Sequence, residues 1–79
     1  MIVFKYERGE KTDHSHPVEQ MGYVLSGKAS LFIEDQEYSL KVGDAYYIPG
    51  GARHGFNVNS EEGLELIEVY TPPKPENTY

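Results

Sequence analysis

The chain has 79 residues, a formal net charge of −6 and a pI near 4.9; this is one domain at most, and one that buries only about 60% of the surface its unfolded form exposes. Thirteen acidic residues face seven scattered basic ones, which argues against a sequence-independent nucleic-acid binder, because neutralising phosphates takes clustered Lys and Arg. With no cysteine present, disulfides are excluded as supports, and a bound metal or an oligomer interface is expected in their place.

The absence of cysteine also fits a reducing cytosol. No apolar run approaches the roughly 18 residues of a membrane span, and the first residues lack the basic-then-apolar layout of a signal peptide. A soluble, cytoplasmic protein with no membrane partner is expected.

Taken in order, residues 2–6 read as a first strand, rich in β-branched and aromatic side chains, and residues 9–13 as a polar loop. Residues 20–25 read as a second strand closed by Ser26 and Gly27, and residues 28–33 as a third. A polar tip over 34–37 then returns through 38–40 as a hairpin partner. Gly43 marks a further turn. Residues 45–48 form a short strand stopped by Pro49-Gly50-Gly51, since proline lacks a ladder donor and glycine admits positive φ. Residues 54–58 follow as a strand of period two, 59–63 as an acidic turn, and 64–70 as the last strand. From Thr71 the prolines Pro72, Pro73 and Pro75 lead the chain out of the sheet as an extended tail. Seven or eight short strands without a helix point to a sandwich or a small barrel. It is read as one domain over 1–79, with the barrel over about 2–70 and the tail over 71–79.

The three histidines stand within this pattern. His14 and His16 are two apart, so an extended backbone projects them to one face. Gln20 shares their parity if the segment through Pro17 stays extended; a bulge near the proline would bring in Glu19 instead. His54 arrives from another strand, delivered by the turn at Pro49 to Gly51. Tyr23, Tyr46 and Phe56 are expected in the core or a pocket wall, and Arg53, of opposite parity to His54, at the surface.

The spacing of the whole set resembles the two motifs of the cupin superfamily: His14-x-His16, three residues, Gln20, six residues and Gly27, then Gly43, five residues, Pro49-x-Gly51, two residues and His54. Gln20 stands where that family usually has Glu, Gly9 lies one residue closer to His14 than the motif prefers, and Val58 takes the place of an expected asparagine. The resemblance implies an all-β fold, a small antiparallel jelly-roll barrel or double-stranded β-helix. It also implies one divalent transition metal per chain on His14, His16, Gln20 and His54. Imidazole and amide ligands suit Zn, Ni, Fe and Cu, with Mn and Co also compatible. A neutral ligand set leaves the ion's charge uncompensated, so the site should attract anions and act as a Lewis acid.

The segment from Leu66 to Lys74 is similar to the C-terminal signature of the pectin-degradation cupins, which open the ring of unsaturated uronates. By position, the active-site roles of that signature fall on Glu68, Tyr70 and Lys74, each of them a substitution relative to the signature. Lys for Arg loses the bidentate fork that grips a carboxylate. Glu68 also stands out on its own, since it shares an otherwise apolar face with Leu64, Leu66 and Tyr70, and an unpaired buried charge is costly. It is either hydrated or ion-paired at the barrel mouth, or a general base beside the metal. The expected function is a metal-binding barrel for a small anionic sugar acid or keto acid, as a lyase or isomerase; the alternative is a non-catalytic sensing or carrier barrel. A homodimer is expected because so small a barrel has apolar residues on both faces of its last strand.

Overall fold

The computed structural model describes residues 1–71. It contains six strands: β1 (Ile2–Tyr6), β2 (Glu19–Ile33), β3 (Gln36–Lys41), β4 (Ala45–Ile48), β5 (His54–Asn57) and β6 (Leu64–Thr71). All pairings are antiparallel, and four of the other five strands pair with β2. Its first half lies between β4 and β6, with β1 beyond β6; its second half lies between β3 and β5. Residues 9–14 extend the second sheet past β5 through bridges at Lys11 to Asn57 and His14 to His54. One strand thus serves two sheets, which face each other across the core.

What lets β2 do this is a change of parity. Gln20 and Val24 are buried in its first half, Ala29 and Leu31 in its second, so inward positions are even before the middle and odd after it. A register shift between Val24 and Ser26 supplies the extra residue, as a bulge does. Without it every apolar side chain of the second half would turn to solvent. Gly27, at φ 84°, completes the bend in a region that L side chains rarely adopt. The expected strand end at Ser26 and Gly27 is therefore a bend within one continuous strand.

The core between the sheets is built on Val24, Leu31, Ile48, Val58, Leu64 and Leu66, each at most 2% exposed. Phe56 joins them, with Tyr46 and Tyr6 packed at its ring. Tyr23 does not; it is 46% exposed on the outer face of the first sheet. Two further expectations are corrected. The tip after β2 is only Glu34 and Asp35, because Ile33 pairs with Gln36, with Glu34 taking the positive φ of 55° that a two-residue hairpin demands. Thr71 stays in the sheet, opposite Glu19. The remainder of the expected tail, with Lys74, lies outside the described residues.

Candidate metal centre

His14 and His54 face each other as a backbone pair, each N–H donating to the other's carbonyl at 2.9 Å. Side chains of directly opposed residues emerge on the same face, so this pairing sets two imidazoles side by side. His16 is brought in by the turn before β5. Gly51, at φ 83°, donates its N–H to the His16 carbonyl at 2.8 Å, while Ala52 N–H closes back on the Pro49 carbonyl at 3.2 Å. The three ring centroids lie 4.6 to 4.9 Å apart, and one nitrogen from each ring falls within 4.8 Å of the other two.

Outside the cluster, Asp13 and Arg53 tie the same two backbone segments together. Arg53 donates to both carboxylate oxygens of Asp13, at 2.8 and 2.6 Å, and its guanidinium lies 5.7 Å from the centre of the Phe32 ring. Hydrogen bonding from Arg53 holds the Asp13 carboxyl below its ordinary range. Arg53 is exposed as expected; its role as a clamp beside the histidines had no signal in the sequence, because it depends on Asp13 being delivered from the other segment.

The protonation pattern inside the cluster follows from hydrogen bonding. His54 is 1% exposed, and its Nδ1 lies 2.9 Å from the Ala52 carbonyl oxygen. A carbonyl only accepts, so Nδ1 carries a proton, and in the neutral ring that leaves the lone pair on Nε2. That Nε2 is buried without a hydrogen-bond partner among the described residues, as are His16 Nδ1 and Gln20 Oε1. Each such orphan costs about 1–3 kcal/mol, and a divalent ion is a partner that satisfies several lone pairs at once. Burial holds the His14 pKa below its usual value, with repulsion from His54 and His16 adding to it; a neutral imidazole is the form that ligates.

Gln20 is 3% exposed and Glu19 is exposed, so the choice left open by parity falls on Gln20 as the inward residue. It stands opposite Tyr70 on β6, whose ring is 6.4 Å from that of His16. Its Nε2 donates to Glu68 Oε1 at 3.2 Å. Glu68 is 3% exposed, and it also accepts from Tyr70 Oη at 2.8 Å and from the Tyr46 hydroxyl on Oε2. Among the described residues its carboxylate is met by three neutral donors and by no cation.

The reach of Tyr46 to Glu68 needs a gap. Tyr46 on β4 and Glu68 on β6 both register against Gly22 of β2. A methyl group on Gly22 would lie inside the Tyr46 ring, so the bare glycine is the floor across which the ring passes. Neither Gly22 nor the Tyr46 hydroxyl was identified from sequence, where nothing reports which residues of three strands share a row.

The cluster thus runs from an exposed His14 through a half-buried His16 to a buried His54, on a scaffold whose strand pairings are all antiparallel. A family model described as Cupin domain matches residues 2–70, and the chain belongs to that family. It is 36% identical over 76 residues to the pectin degradation protein KdgF of Dickeya dadantii, covering 94% of this chain and 68% of that protein. It is 35% identical over 74 residues to the HTH-type transcriptional regulator PuuR of Escherichia coli, covering 91% of this chain but only 40% of the regulator. Among solved structures, KdgF from Halomonas sp. superposes with a TM-score of 0.79 at 27% identity, covering 95% of this chain and 69% of that one.

Proposed function

We propose that the protein holds one divalent transition metal on His14, His16, Gln20 and His54 and uses it to bind or transform a small anionic metabolite of the sugar-acid or keto-acid class. The observation that carries this reading is the convergence of His14, His16 and His54, one ligand atom of each within 4.8 Å of the others, with His54 Nε2 and His16 Nδ1 buried and unpartnered among the described residues, as Gln20 Oε1 is. When bound, the ion supplies Lewis acidity that polarises a coordinated carbonyl or lowers the pKa of a coordinated water. The chain's own contribution is orientation: the Ala52 carbonyl fixes the His54 tautomer, and four neutral ligands leave the positive charge to draw in an anion. The 36% identity to a pectin degradation protein supports a sugar acid as the ligand class, in a lyase or isomerase reaction. In this reading Tyr70, beside His16, lines the ligand's approach.

The test is elemental analysis of the purified protein. About one metal per chain is expected in the wild type and a negligible amount in His54→Ala, with unsaturated uronates and keto acids then screened against the loaded protein. A wild type that carries no metal and takes none up on titration sinks the proposal. A second reading, a sensing barrel without turnover, draws on the similarity to a transcriptional regulator; ligand binding by calorimetry with no product formed would favour it. Both readings take the protein to act in the cytoplasm as a homodimer, supported by the absence of cysteine and by the exposed apolar side chains Val3, Met21, Tyr23, Tyr47 and Val69 on the outer face of the first sheet.

A further inference from the structure

We propose that Glu68 is a positioning residue that decides which end of the Gln20 carboxamide faces the histidines. The inference rests on the metal reading above. A glutamine amide has two ends of almost identical shape, one donating and one accepting. Left free, it presents a nitrogen, useless to a metal, as readily as an oxygen. An ionised carboxylate accepts and never donates, so contact with Glu68 forces the amide nitrogen toward β6 and leaves Oε1 as the outward end. That is the arrangement observed: Nε2 is 3.2 Å from Glu68 Oε1, and Gln20 Oε1 is buried and unpartnered.

Glu68 is itself held in place. Tyr70 donates to the same oxygen as Gln20, and Tyr46 donates to the other. Oε1 thus has both lone-pair directions used, and the carboxylate is directed at groups of its own chain. This occupancy is what separates a positioning residue from the general base expected from sequence, which needs a free oxygen aimed at substrate. The geometry also has a reason on the sheet. Gln20 faces Tyr70 and Gly22 faces Glu68 on neighbouring strands, so Gln20 and Glu68 are diagonal neighbours on the inner face, within reach of long side chains. Outer partners that orient metal ligands in this way are worth about tenfold to hundredfold in affinity.

The experiment measures cobalt(II) affinity by chelator competition and the visible spectrum of the bound ion. Wild type is compared with Glu68→Gln and with the swap Gln20→Glu/Glu68→Gln, thermal unfolding of the metal-free proteins serving as the check on folding. In Glu68→Gln the new amide both donates and accepts, so Gln20 loses its fixed orientation; affinity should fall about tenfold or more and the spectrum should change. The swap reverses donor and acceptor while returning an oxygen to the metal, and should restore the affinity. Equal affinity and an unchanged spectrum in Glu68→Gln would overturn the assignment while leaving the metal reading intact. A loss that the swap fails to recover would also overturn it, since a merely structural contact predicts that. A wild type that binds no cobalt overturns the metal reading and the assignment with it. If Glu68→Gln does not fold, the metal-free wild type decides: slow hydrogen exchange of the Gln20 side-chain amide, followed by NMR, supports the contact, and exchange at the solvent rate overturns it.

Discussion

Burial and the charge of Glu68 act together on three tyrosines. Burial raises the pKa values of Tyr6, Tyr46 and Tyr70 above the ordinary phenol value, and Glu68 raises them further, through hydrogen bonds as well as charge for Tyr46 and Tyr70. A group whose folded pKa lies above its unfolded value contributes stability that is complete below the unfolded pKa and is lost as pH rises toward the folded one. For these tyrosines the unfolded value is near 10, so their contribution is constant through neutral pH and declines from about pH 10 upward. Denaturant midpoints should show that alkaline decline, and phenolate absorbance should show a set of tyrosines that ionises only together with unfolding. A full complement of phenolate appearing near pH 10 in the folded protein would contradict the network. Single residues were unevenly legible in the sequence. The pairing of His14 with His16 is suggested by parity, while the same count places Gln20 inward only if the segment through Pro17 stays extended; the burial of Gln20 and the exposure of Glu19 decide between the two. Of the partners of Glu68 only Tyr70, two residues on along the same strand face, could be read from parity; Tyr46 and Gln20 lie 22 and 48 positions away in the chain.

Between residue and whole molecule, the crossing of Tyr46 over Gly22 joins β4, β2 and β6 in one row. Replacing Gly22 by Ala places a methyl within the volume of the Tyr46 ring, and overpacking of this kind costs about 1–3 kcal/mol. In a domain of this size that is a fall in Tm of roughly 4–8 °C for each kcal/mol. The sharper measurement is a double-mutant cycle: in a Tyr46→Ser background the ring is gone and Gly22→Ala should be nearly neutral, a non-additivity expected of residues in contact. Equal costs in both backgrounds would place the strain elsewhere. The strands themselves were legible from aromatic and β-branched runs, and β1, β4 and β6 fall close to where the residues put them. The misreading lay in β2, where a Ser-Gly pair signals a turn in most contexts. Whether such a glycine ends a strand or bends it depends on the strands that flank it on both sides, and only the register against β6 across Val24 and Ser26 reveals the bend.

At the scale of the molecule, the first sheet has an inner face sealed by the core and an outer face that no other described residue covers. Two rows cross that outer face: Val3, Ile67, Tyr23 and Ala45 in one, and Val69, Met21 and Tyr47 in the other. Val3, Met21, Tyr23, Tyr47 and Val69 are each 43% to 53% exposed. Together the side chains leave on the order of 500 Å² of apolar surface in water, at the upper end for a monomer and approaching the ~800 Å² each partner contributes to a stable interface. A chain of net charge −6 repels its own copy over most of its surface, and these rows contain no ionisable carboxylate or amine. Charge returns at their margins, where Lys5 and Glu65 pair across β1 and β6 and where the exposed Glu19 acts on Tyr47, giving both signs for a two-fold partner to match. The expected assembly is therefore an isologous dimer through this face, which also supplies the burial a barrel of this length lacks alone. Met21→Glu should shift the protein to monomer in light scattering at micromolar concentration, with little change in the fold because the side chain points away from the core. A wild type that is already monomeric there, or a dimer indifferent to the substitution, would contradict the assignment of the face.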